Sequence, residues 1–76
     1  MSAITESDQL REEGNVLYKA GKLEHAIAKY KLAAKRAPNS SAPLRNLSAA
    51  YFETGHYRKC IATAEQALKL GESGGG

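Results

Sequence analysis

The stretch Leu23-Glu24-His25-Ala26-Ile27-Ala28-Lys29-Tyr30-Lys31-Leu32-Ala33-Ala34 decides the fold, because its apolar pattern returns 34 residues later as Tyr57-Arg58-Lys59-Cys60-Ile61-Ala62-Thr63-Ala64-Glu65-Gln66-Ala67-Leu68. In the first copy Leu23, Ala26, Ile27, Tyr30, Ala33 and Ala34 fall at i, i+3, i+4, i+7, i+10 and i+11. Tyr57, Cys60, Ile61, Ala64, Ala67 and Leu68 take the same spacing. Each set forms one stripe along an α-helix of about three to four turns.

The repeat extends outward from these stretches. At the same 34-residue offset stand Ser7/Ser41, Leu10/Leu44, Arg11/Arg45, Gly21/Gly55, Ala28/Ala62 and Lys35/Lys69. Gly14/Ser48, Tyr18/Phe52 and Ala26/Cys60 match in size. The preceding segments place Leu10, Gly14, Leu17, Tyr18 and then Leu44, Leu47, Ser48, Tyr51, Phe52 on one helical face. Small side chains at Gly14, Ala26, Ala33 and at Ser48, Cys60, Ala67 let paired helix axes approach to the usual ~8–10 Å. Tyr30 and Tyr51 are expected to fill space between helices, with their hydroxyls reaching polar atoms or solvent.

Punctuation predicts four helices, over 7–20, 23–36, 42–54 and 57–69. Thr5 and Ser7 are N-cap candidates, and Asp8 is placed to complete a capping box with Thr5. Gly21 and Gly55 end the first helix of each pair. Pro38-Asn39-Ser40-Ser41 separates the pairs, and Pro43 fits a first helical turn. The expected fold class is all-α.

The 76 residues allow one small domain. Residues 1–6 form a lead-in. Gly71–Gly76 hold four glycines and no apolar side chain, the composition of a flexible tail. A net charge of +3 with both signs interspersed suits solubility. The single cysteine, Cys60, excludes an internal disulfide and any cysteine-based zinc site. The first residues carry no signal-peptide-like apolar core, and no apolar run reaches membrane-spanning length, so a cytoplasmic or nuclear setting is expected.

Residues 7–70 resemble two tandem tetratricopeptide repeats, 7–40 and 41–70. Gly14, Leu17, Ala26, Tyr30, Ala33 and Pro38 fall on that family's pattern, as do Leu47, Tyr51, Gly55, Tyr57 and Ala67. Departures are Leu10 and Leu44 where tryptophan is frequent, Ser48 for glycine, Cys60 for alanine, and no proline after Leu70. The resemblance implies two antiparallel helix-turn-helix units stacked as a right-handed α-solenoid fragment. It implies a protein-binding scaffold, with the first helix of each pair lining a concave groove. Asp8, Arg11, Asn15, Tyr18 and Lys19 would face it from one helix, and Arg45, Asn46, Ala49, Phe52 and Glu53 from the other.

Leu10–Asn15 and Arg45–Tyr51 further resemble the carboxylate-clamp co-chaperone subclass, which grips chaperone C-termini ending Glu-Glu-Val-Asp. Arg11 stands at a basic clamp position and Asn15 and Asn46 at its two amide positions. The subclass completes the clamp with a lysine and an arginine from a third repeat, so three of five clamp residues stand in these 76 residues. Arg45 would add charge. Carboxamide and cationic donors suit a carboxylate, which needs converging N–H groups to replace lost water.

An alternative binding reading rests on Ile61, Ala64 and Leu68, a face for self-association or a partner helix. Catalysis has little support: His25 and His56 lack acidic partners at ligand spacing, and Cys60 sits at a packing position. There is no phosphate loop or nucleophile motif, and no cofactor or metal is implied. Lys22, His25, Lys29, Lys31, Lys35 and Arg36 read as a solvated basic face rather than a nucleic-acid site. No nucleic-acid or membrane partner is expected.

Overall fold

Thr5 opens the chain's first helix by accepting the Asp8 backbone N–H on Oγ1 at 3.0 Å. Glu6 and Asp8 follow in the first turn, where carboxylates complement the positive helix end. In the computed structural model, which describes residues 5–73 and only the backbone of 72 and 73, the elements are α1 (Glu6–Lys19), α2 (Leu23–Arg36), α3 (Ala42–Glu53) and α4 (Tyr57–Ser73). Among the described residues all regular structure is helical, arranged as two helix-turn-helix pairs.

Ser7 is not the cap. It is the second residue of α1, buried, and its hydroxyl donates to the Ala33 carbonyl at 2.9 Å. This bond ties the start of α1 to the end of α2. Helix α4 runs to Ser73, beyond the expected end at 69 and through Gly71. Pro43 takes the first turn of α3 and is fully buried.

The two intra-pair turns are built alike. Gly21 and Gly55 both have φ +80°, the left-handed region that costs glycine little. At the first turn Gly21 N–H donates to Tyr18 O and Lys22 N–H to Leu17 O. At the second, Gly55 N–H donates to Phe52 O and His56 N–H to Tyr51 O. Both are Schellman closures, which satisfy carbonyls a helix end would leave open.

Helix α1 packs on α2, α2 on α3 and α3 on α4, with a smaller contact between α1 and α3. The core lies where the first three meet: Ala26, Ile27, Tyr30, Leu47, Ala50 and Tyr51, flanked by Leu17, Tyr18, Leu44 and Cys60. Ala26 and Ala33 are fully buried, as their small size at the pair interface predicts.

Helix α4 buries only part of its apolar stripe. Thr63 and Ala67 are buried and Cys60 is half-buried, but Tyr57, Ile61 and Leu68 are exposed. The reason is geometric: among the described helices α4 packs on α3 alone, so it buries a narrow arc. At ~100° per residue, Ile61 and Leu68 are turned well away from the Cys60–Ala67 line.

Candidate functional site

Helices α1 and α3 lie side by side, and their contact brings together residues far apart in sequence. Asn46 Nδ2 donates to Asn15 Oδ1 at 3.1 Å, across 31 positions of chain. The same Asn15 oxygen accepts the Tyr30 hydroxyl, which arrives from α2 at 2.6 Å. Tyr30 is 2% exposed, so its hydroxyl needs a partner from the protein, and Asn15 supplies it.

Burial raises the Tyr30 hydroxyl above the ordinary tyrosine value, and the Tyr18 hydroxyl acts in the same direction. The Asn46 carboxamide and the Arg11 charge oppose it by favouring the ionised oxygen. The phenol is therefore neutral and a donor near neutral pH.

Asn15, Tyr18, Tyr30, Asn46 and Ala49 line a concavity of about 210 Å³ on this face. Gly14 explains how the Tyr30 ring reaches beneath α1. A β carbon there would stand 2.6 Å from ring atom Cε1, so only glycine leaves the space.

The remaining expected site residues separate into groups. Arg11 is half-buried, and its Nη2 meets Asp8 Oδ1 at 3.5 Å. Its Nε lies out of solvent with no acceptor among the described residues. Lys19 and Glu53 are exposed and do not line the concavity. Phe52 is exposed and packs its ring against Tyr57 at 5.6 Å between centroids, outside the concavity.

Arg45 stands apart from its neighbour Asn46. It lines a larger hollow of about 530 Å³ between α3 and α4, with Ser41, Ser48, Ala64, Ala67, Leu68 and Gly71. Exposed Leu68 and half-buried Ala64 line it from α4, while exposed Ile61 does not line it. The larger hollow is mainly apolar, and Ser48 already donates to Cys60 O at 3.0 Å. The smaller concavity is the better candidate, since polar groups from three helices converge there.

The basic face of α2 is partly neutralised by α1. Lys29 Nζ meets Glu13 at 2.9 Å and Arg36 Nε meets Glu6 at 3.4 Å. Among the described residues no group of His, Cys, Asp and Glu is placed to hold a metal ion. No described helix is long and apolar enough to cross a membrane.

Sequence reasoning put Tyr30 in the core and did not connect it to the groove. The available signal was the cost of burying its hydroxyl, which demands a partner on a facing helix.

No protein-family model matches this chain. Over 64 residues, 84% of the chain, it is 33% identical to "Heat shock protein sti1 homolog" of Schizosaccharomyces pombe. The chain spans 11% of that protein's length. Two stacked helix pairs are compatible with a tetratricopeptide-type repeat, and this similarity agrees with it.

Proposed function

We propose that this chain is a protein-interaction module whose α1–α3 groove receives the acidic C-terminal end of a partner polypeptide, of the Glu-Glu-Val-Asp kind. The observation that carries the reading is the Asn15–Asn46 contact at 3.1 Å, backed by Tyr30 and open to a concavity of about 210 Å³.

A terminal carboxylate needs several N–H donors in place of water, and hydrogen bonds from neutral amides to a charged acceptor are strong ones. Asn15 and Asn46 bring amide groups from two helices, Arg11 supplies nearby positive charge, and Tyr18 lines the same concavity. Similarity to a heat shock protein makes a chaperone tail the first partner class to try.

The experiment is a calorimetric titration with a peptide ending Glu-Glu-Val-Asp, beside the same peptide with its C-terminus amidated. Saturable binding of the free acid, weaker for the amide, is expected. Absence of any heat up to about millimolar peptide, where even a weak site of some −4 kcal/mol fills, would refute the reading.

A further inference from the structure

We propose that Tyr30 is the positioning residue that sets the polarity of this groove, turning Asn15 so that it presents donors to the ligand. The inference rests on the reading of the groove as a carboxylate site.

A carboxamide is nearly symmetric in shape but opposite in chemistry at its two ends, so a neighbouring hydrogen bond decides which end faces outward. Tyr30 donates its O–H to Asn15 Oδ1 at 2.6 Å, and Asn46 Nδ2 donates to the same oxygen at 3.1 Å. Two donors on one oxygen hold the carbonyl inward. Turning the group over would set the Asn15 NH2 against the Asn46 NH2, a meeting of two donors, and would strip the tyrosine hydroxyl of its acceptor.

The outward chemistry follows. Among the described residues Asn15 Nδ2 makes no intramolecular hydrogen bond, yet it is not a buried polar atom lacking a partner. It is therefore not sealed from solvent. Its two N–H groups are donors to spare, whereas the Asn46 Nδ2 is engaged with Asn15 and acts on the Tyr30 oxygen, leaving Asn46 Oδ1 as the one carbonyl acceptor. Such a surface selects a carboxylate over an amide or an ammonium group.

Tyr30 itself does not need to touch the ligand. It is almost wholly buried, its ring is seated under Gly14, and its hydroxyl is tied to Asn15. Its reach across the pair interface depends on the missing side chain at Gly14. A packing feature of the repeat and the polarity of the groove are thus one device.

The test is Tyr30→Phe, which keeps the ring and removes only the donor. The peptide ending Glu-Glu-Val-Asp is titrated as free acid and as C-terminal amide against both proteins, with helicity and melting recorded as controls. In the variant the preference for free acid over amide is expected to fall about ten-fold, the loss that follows when one donor of a charge-accepting set turns away. A preference unchanged in a folded variant would overturn the proposal.

A second readout needs no ligand. The Asn15 side-chain NH2 pair in a nitrogen–proton correlation spectrum is expected as one sharp set in the parent protein. In Tyr30→Phe it is expected to shift and broaden as the carboxamide samples both orientations. Unchanged Asn15 signals would overturn the positioning role even if the parent protein bound neither peptide, so failure of the groove and failure of Tyr30 are told apart.

Discussion

Gly14 and Tyr30 touch backbone to ring: a β carbon on Gly14 would stand 2.6 Å from Cε1 and 2.7 Å from Cδ1 of the tyrosine. No real β carbon tolerates that distance, so α1 or the ring would have to move. The ring is confined on its other sides by the core and tethered by its hydroxyl to Asn15.

Gly14→Ala therefore sets two effects against each other. Alanine in a helix interior gains about 1 kcal/mol over glycine, while overpacking a confined core costs about 1–3 kcal/mol. The clash should win, with net destabilisation of up to about 2 kcal/mol. Urea unfolding followed by helical circular dichroism measures it. A variant more stable than the parent would mean the ring moves aside freely.

Gly21 and Gly55 behave differently because their neighbourhoods are empty. Both have φ +80°, and nothing lies within 4 Å of an added β carbon. Alanine at either position should cost about 1–2 kcal/mol through backbone conformation alone. Asparagine, which tolerates the left-handed region better, should cost less. Melting curves of the four single variants compare these rankings; equal losses for Ala and Asn would contradict the backbone explanation.

Ser7→Ala removes the hydroxyl that donates to Ala33 O at 2.9 Å. That carbonyl also accepts the Ala37 N–H at 3.1 Å, so it is not stranded by the change. The loss should sit near the low end of a net hydrogen bond, about 0.5–1 kcal/mol. Ser7→Val, which must fit a branched side chain into a buried site, should lose more. Paired denaturant curves decide whether bond or space matters more here.

Much of this architecture is written in local patterns. Apolar spacing marks the four helices, and the Gly21 and Gly55 turns follow from a residue type with one special freedom. The α4 surface was less legible, since periodicity marks a stripe but not how many neighbours cover it. Tyr57, Ile61 and Leu68 belong to the pattern and still face solvent. The Tyr30–Asn15–Asn46 network was harder still. It depends on the separation of three helices, which Gly14 sets, and no single segment carries that information.

The raised Tyr30 value makes stability depend on alkaline pH. Burial favours the neutral phenol, so the folded chain holds this proton to a higher pH than the unfolded chain, whose tyrosine titrates near 10.0. The contribution is fully present below that pH and is lost as pH rises through the folded value. Stability should fall as pH climbs above about 10, and Tyr30→Phe should flatten part of that fall. Denaturation midpoints of both proteins across this range provide the check; parallel curves would assign the slope to other groups.

Arg45 and Asn46 are adjacent in sequence but ~100° apart around α3, and they face different hollows. Asn46→Ala removes both a donor and a hydrogen-bond partner of Asn15, and should weaken binding of the free-acid peptide about ten-fold. Arg45→Ala removes a charge that lines the α3–α4 hollow instead. At about 0.15 M salt its effect should stay within roughly two-fold, growing only as salt is lowered and longer-range attraction is unscreened. Titrations at two ionic strengths separate a contact from a distant charge. If Arg45→Ala cost as much as Asn46→Ala at the higher salt, the ligand would have to lie on the α3–α4 side, and the groove built by Asn15, Tyr18 and Tyr30 would lose its claim.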